Sequence, residues 1–132
     1  MSDSEFISAR QERWRVAHNS LDPDKLMALM TEDCDYSDHG LGVAHINGTE
    51  LRALADAVFS SVSEMIFETV SLNGTKEFTA WEWTAKGRML KELPGVPYKV
   101  GQEFEAVGCS LFWWDGESGK IRILVEYSKF LE

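Results

Sequence analysis

From Met65 to Leu131 the chain reads as four long segments in which apolar and polar residues alternate: Met65 to Leu72, Phe78 to Leu90, Gln102 to Trp114 and Lys120 to Leu131. A period of two sends successive side chains to opposite faces, so segments of this kind bury one face as strands of a sheet. Turn chemistry separates them. Asn73-Gly74 is a favoured two-residue hairpin signal because both residues tolerate positive φ. Lys91 to Lys99 forms a loop with Pro94, Gly95 and Pro97, and Asp115-Gly116-Glu117-Ser118-Gly119 joins the last two strands.

The first half has a different period. Ser4 to Asn19 carries Phe6, Ile7, Trp14, Val16 and Ala17 at helical spacing, with His18 expected on the helix surface. Asp22 before Pro23 predicts an N-cap with proline at the first helical position, opening a short helix over Pro23 to Met30. Cys34 to Ser37 predicts a short strand, Asp38-His39-Gly40 a turn, and Leu41 to Ile46 a second strand. A third helix starts at Asn47-Gly48-Thr49 and sets Leu51, Leu54, Ala55, Val58 and Phe59 on one stripe. Helices gathered before a run of antiparallel strands predict one α+β domain spanning residues 1–132.

Charge narrows the partners. With 22 acidic against 13 basic side chains the net charge is −9, and no basic run of five occurs. Such a domain repels phosphate backbones, so no nucleic-acid partner is expected. No apolar run approaches the roughly 20 residues of a bilayer span, so no membrane partner is expected either. The acidic start Met1-Ser2-Asp3-Ser4-Glu5 is unlike a secretory leader. Cys34 and Cys109 have no Cys-x-x-Cys or Cys/His spacing, which predicts buried thiols in a reducing, cytoplasmic setting and no metal site. No nucleotide-binding glycine loop is present.

The stretch Trp81-Glu82-Trp83-Thr84-Ala85-Lys86-Gly87, followed by Leu93-Pro94-Gly95-Val96-Pro97, Gly108-Cys109-Ser110-Leu111-Phe112 and Gly119-Lys120-Ile121, resembles the SnoaL-like polyketide cyclases. That family shares the nuclear transport factor 2-like fold with ketosteroid isomerase, scytalone dehydratase and limonene epoxide hydrolase. The resemblance implies a cystatin-like cone: three N-terminal helices on a strongly curved antiparallel sheet that encloses one pocket. It also implies a homodimer through the convex sheet face, and chemistry without a cofactor on a small apolar metabolite such as a polyketide or terpenoid.

The resemblance assigns candidate residues. Asp38 falls where ketosteroid isomerase keeps its general base, and Glu126 where relatives carry an acid–base aspartate. Ser110 stands where ketosteroid isomerase has an oxyanion-hole aspartate; serine is a weaker donor, so that mechanism does not transfer intact. Tyr36 offers a phenolic donor and His39 a proton relay, while Glu82, Phe112 and Leu124 are the remaining substrate-binding candidates. Two placements fit Asp38, a pocket base or an exposed turn residue beside Gly40.

Glu126 has the same ambiguity. Ile121, Ile123, Val125 and Tyr127 alternate as one apolar face, and Trp81, Trp83, Val107, Leu111 and Trp113 read as its continuation. If that side meets a second subunit, Glu126, Ser110 and Glu82 point into the pocket; if it packs on the helices, Glu126 is solvated. Paired carboxyls at Asp38 and Glu126 predict an isomerase, cyclase or dehydratase. The alternative is a non-catalytic module of the same fold that binds a small ligand or a protein.

Overall fold

The computed structural model describes residues 2–131. Its first helix, α1, spans Asp3–Asn19, with the Ser2 hydroxyl accepting the Glu5 N–H as N-cap. The short α2, Pro23–Met27, begins as expected on the Asp22 cap and a first-turn proline. Strand β1, Met30–Asp38, and strand β2, Val43–Ile46, lead to α3, Gly48–Ser61, which opens on a reciprocal capping box between Asn47 and Glu50. Four long strands complete the chain: β3 Val62–Gly74, β4 Phe78–Met89, β5 Glu103–Trp114 and β6 Ile121–Leu131.

Several boundaries differ from the expectation: β2 begins at Val43 rather than Leu41, and β3 continues through Asn73 and Gly74, which pair with Ala80 and Thr79, so the hairpin turns at residues 75–77. Helix α2 stops at Met27 and the strand begins at Met30, because the Ile121 N–H donates to the Leu29 carbonyl and draws this segment onto β6. Helix α3 passes straight into β3, so the first long strand starts at Val62 rather than Met65.

The strands form one sheet in the order β2-β1-β6-β5-β4-β3. The expectation of a wholly antiparallel sheet is corrected at one junction, since β1 runs parallel to β6. A parallel pair needs a long crossover, and here the crossover consists of α3 and the four strands between them in sequence. The helices pack on one face of this mixed sheet. Arg15 donates to the Phe67 carbonyl and the Phe67 N–H donates to the Asn19 side chain, tying the end of α1 to β3.

Side-chain direction follows from register. Trp81 pairs with Ser110, and Ser110 pairs with Glu126, so these three side chains share one face in a row across β4, β5 and β6. Asp38 extends the row through its pairing with Glu126. Trp81, Ser110, Phe112 and Leu124 are wholly buried beneath the helices. Leu111 pairs with Ala80, not with a tryptophan, and lies with Val107 and Trp113 on the opposite face.

The expected continuity of Trp81 and Trp83 with Val107, Leu111 and Trp113 is therefore wrong: the tryptophans face the core. A second correction comes from a bulge in β6. Trp113 pairs with Ile123 and Trp114 with Ile121, leaving Arg122 as the extra residue. The insertion lets Ile121 and Leu124 both turn inward, while Ile123, Val125 and Tyr127 face out. Beyond the bulge the inward frame is Leu124, Glu126 and Ser128.

Candidate active site

The concave face, α1 and α3 enclose a cavity of about 120 Å³. Its wall is largely aliphatic and aromatic, from Leu51, Phe59, Met65, Phe67 and Trp83, with Leu93 and Val96 added by the loop after β4. Five polar side chains reach this wall: His18, Tyr36, Asp38, Glu126 and Ser128. Among the described residues no lysine or arginine lines it, and no three His, Cys, Asp or Glu side chains are placed to hold a metal.

Tyr36 stands between the two carboxyls. Its hydroxyl lies 2.7 Å from Glu126 Oε1 and 3.2 Å from Asp38 Oδ2. The second oxygen of Glu126 accepts the Ser110 hydroxyl at 2.6 Å, and Ser110 in turn accepts the Trp83 indole N–H at 2.9 Å. The indole donates only, which commits the serine proton to Glu126 Oε2 and leaves Oε1 for exchange with Tyr36. Gly108 makes this packing feasible, because a Cβ there would overlap the Trp83 indole and the Tyr127 carbonyl.

Asp38 combines both placements open to it. Its Oδ1 accepts the Leu41 N–H at 3.1 Å, as a turn aspartate does, while Oδ2 faces Tyr36 inside the pocket. The His39 N–H donates to the Glu126 carbonyl at 2.9 Å, which holds the start of the turn against β6.

Burial governs the electrostatics. Glu126 is pushed up to about 7, first by desolvation and then by the nearby Asp38 charge; hydrogen bonds from Ser110 and Tyr36 oppose the shift. Asp38 is raised as well, by burial, against the hydrogen bonds from Leu41, Tyr36 and Gly40 and the proximity of His39. Tyr36 is held well above its usual range by burial and by both neighbouring carboxyls. The phenol therefore stays protonated and works as a donor and acceptor. Burial lowers His18 to about 4 and keeps its imidazole neutral.

The sequence agrees with this architecture across most of its length. A model of the SnoaL-like domain matches residues 12–123. This chain belongs to the SnoaL-like domain family. It is 32% identical over 117 residues to cyclase aurE of Calcarisporium arbuscula, an alignment covering 88% of this chain and 82% of the relative. In structure it resembles the BvnE pinacolase of Penicillium brevicompactum, with a TM-score of 0.79 at 15% identity, covering 97% of this chain and 89% of the other. A protein with a ketosteroid isomerase-like fold from Catenulispora acidiphila gives a TM-score of 0.71 at 16% identity over 89% and 83% of the two chains. At those identities the structural likeness establishes the fold.

Within this SnoaL-like domain the expected residues divide into three groups. Asp38, Glu126, Tyr36 and Ser110 meet in one hydrogen-bonded cluster. Phe112 and Leu124 are buried on the same face, and Phe112 packs between Trp14, Trp81 and Trp114 in the core rather than on the cavity wall.

His39 and Glu82 lie outside the pocket. The His39 ring is exposed and stacks on Tyr127 with centroids 4.5 Å apart. Glu82 is exposed on the outer face and accepts the Ser71 hydroxyl at 2.9 Å. Its neighbours Trp81 and Trp83 point inward, so a period of two excludes it.

His18 reverses its expected placement, since the structure sets its ring in the pocket wall. The available signal was its position four residues after Trp14. That spacing puts both on one helix face, and their rings meet at 5.6 Å.

Proposed function

We propose that this chain is a cofactor-independent acid–base enzyme that relocates a proton on a small, neutral, apolar metabolite during ring closure, double-bond shift or dehydration. The observation that carries this reading is the single tyrosine hydroxyl joining two buried carboxyls at the wall of an apolar cavity. Burial raises both carboxyls, Glu126 to about 7, and the Asp38 charge helps to hold the proton on Glu126, so one site offers an acid and a base together.

Asp38 takes a proton from the substrate, from carbon beside a carbonyl or from a hydroxyl. Glu126 delivers one to the atom that has gained charge. The pair then resets through Tyr36: the phenol accepts the proton on Asp38 and passes its own to Glu126, so no net charge leaves the cluster. General acid–base assistance of this kind contributes about 10²–10⁴-fold in rate. A cavity lined by two acids and no cation disfavours anionic substrates, which supports a neutral polyketide or terpenoid fragment. Among the three reactions, ring closure has the added support of the 32% identical relative, a cyclase.

The test is exchange of the protons beside the carbonyl of a neutral single-ring ketone, cyclohexanone, in heavy water, followed by NMR. The wild-type chain accelerates exchange, and Asp38→Asn lowers the enzymatic rate by about 10²-fold or more. Tyr36→Phe gives a smaller loss of about ten-fold, because it removes the reset and leaves the base. Exchange by Asp38→Asn at the wild-type rate would rule out Asp38 as the base.

The outer face, where Val107 and Tyr127 stay exposed beside Leu111 and Trp113, is proposed as the contact between two copies of the chain. Sedimentation equilibrium at micromolar concentration then gives twice the chain mass. A single species at the chain mass would contradict this contact and leave the site chemistry unaffected.

A further inference from the structure

We propose that His18 is a second recognition residue of the pocket, its imidazole hydrogen-bonding a hydroxyl or carbonyl oxygen on the part of the substrate that lies against β3. The inference rests on the reading of this cavity as the substrate site and adds a requirement on the substrate itself.

The His18 ring lines the cavity within a cage of aromatic rings, with centroids 5.6 Å from Trp14, 5.3 Å from Phe59 and 4.3 Å from Phe67. A phenyl ring would fill that cage without desolvating a nitrogen. His18 instead carries a buried Nδ1 that has no hydrogen-bond partner, and an unpaired buried polar group is costly unless something meets it. With Nδ1 sealed away, Nε2 is the ring nitrogen left to face a ligand. Because burial keeps the imidazole neutral, it pairs with an uncharged oxygen as either donor or acceptor.

Its position gives the contact meaning. Phe67, against which His18 packs, belongs to β3, and Glu126 belongs to β6, three places away in the sheet. Three strand spacings amount to about 14 Å along the sheet surface, and its curvature shortens the direct path. A ligand touching both walls therefore spans the cavity and carries an oxygen at each end. A cavity of about 120 Å³ admits one ring of that kind. The substrate class that follows is a neutral single-ring or ring-forming molecule with opposed oxygen functions.

The experiment titrates the intact chain by NMR with benzene and hydroquinone, the same ring without and with two opposed hydroxyls. Wild-type protein binds hydroquinone about ten-fold or more tightly than benzene. His18→Phe reduces that ratio by about three- to ten-fold, and His18→Gln, which retains hydrogen-bonding capacity, recovers part of it. In the wild type the His18 Nε2 resonance moves with hydroquinone and stays with benzene, a readout that holds even if His18→Phe fails to fold. An unchanged ratio in folded His18→Phe, or an Nε2 resonance indifferent to hydroquinone, overturns the assignment. Glu126→Leu separates the two ideas: a ratio that falls in His18→Phe but not in Glu126→Leu upholds the histidine contact and counts against the carboxyl pair. Failure of the wild type to bind either probe removes both.

Discussion

Glu126→Gln is expected to lower proton exchange by about 10²–10⁴-fold while the fold stays intact. Glutamine matches glutamate in shape, and its side-chain oxygen still accepts the Ser110 hydroxyl that now lies 2.6 Å from Glu126. Tyr36 loses an acceptor there but retains Asp38 at 3.2 Å. What disappears is the transferable proton and, with it, the acid of the pair. The check is the exchange rate of the variant beside its urea unfolding curve, so that lost chemistry is separated from lost structure. A variant that exchanges within two-fold of wild type would show that Glu126 is not the acid.

The same substitution is expected to make the protein more stable at alkaline pH. The folded chain holds the Glu126 proton up to about 7, against an ordinary value of 4.5. Between those values the folded state binds more protons than the unfolded chain, so stability falls as pH rises from about 4.5 through 7. Asp38, also raised, acts in the same direction starting from lower pH. At about 1.4 kcal/mol per pKa unit, the loss from Glu126 is on the order of 3 kcal/mol. A glutamine carries no such linkage. Urea unfolding at pH 5 and pH 8 should show wild type and Glu126→Gln close together at the lower pH, with the variant ahead at the higher. A wild-type chain that does not lose stability relative to Glu126→Gln between pH 5 and 8 would contradict a buried, raised carboxyl.

An inactive variant that is more stable than its parent would place the site among those that hold strain for function. The strain here is desolvation of a charge. Trp83, Phe67 and the residues around them exclude water from a pair of acids that each prefer it.

Local chemistry made much of this fold legible. The Asp22-Pro23 cap and the stripe of α3 each act within a few residues, and each appears where the sequence indicates; the turn expected at Asn73-Gly74 is displaced to residues 75–77, because both residues are held in the β3–β4 ladder opposite Ala80 and Thr79. The parallel pairing of β1 with β6 was not legible, because it joins segments about ninety positions apart and no local pattern encodes strand order. Face assignment failed at Trp81 and Trp83 for a related reason. Each strand has a clean period of two, but the phase between strands is fixed by register, which places Trp81 opposite Ser110.

The bulge at Arg122 explains the conflict over Glu126. An unbroken alternation from Ile121 sends Glu126 to the opposite side from every isoleucine in the strand, whereas the inserted residue lets Ile121 and Glu126 face inward together. His18 was misjudged because a polar residue near a helix end is usually solvated, and only the tertiary fold shows α1 laid across the cavity. His39 and Glu82 follow the opposite course: sequence proximity to Asp38 and Trp83 suggested the site, and the alternation of the strands turned them away from it.

Burial raises both Asp38 and Glu126, and the proposed chemistry needs Glu126 to hold its proton near neutrality. Carbon-13 NMR of carboxyl-labelled glutamate and aspartate, with Glu126→Gln supplying the assignment, measures this directly. The expected result is a Glu126 midpoint near 7 and an Asp38 midpoint that is elevated by burial and stays elevated when Glu126 becomes glutamine. Independent titration of both groups at their ordinary values of 4.5 and 3.8 would contradict it.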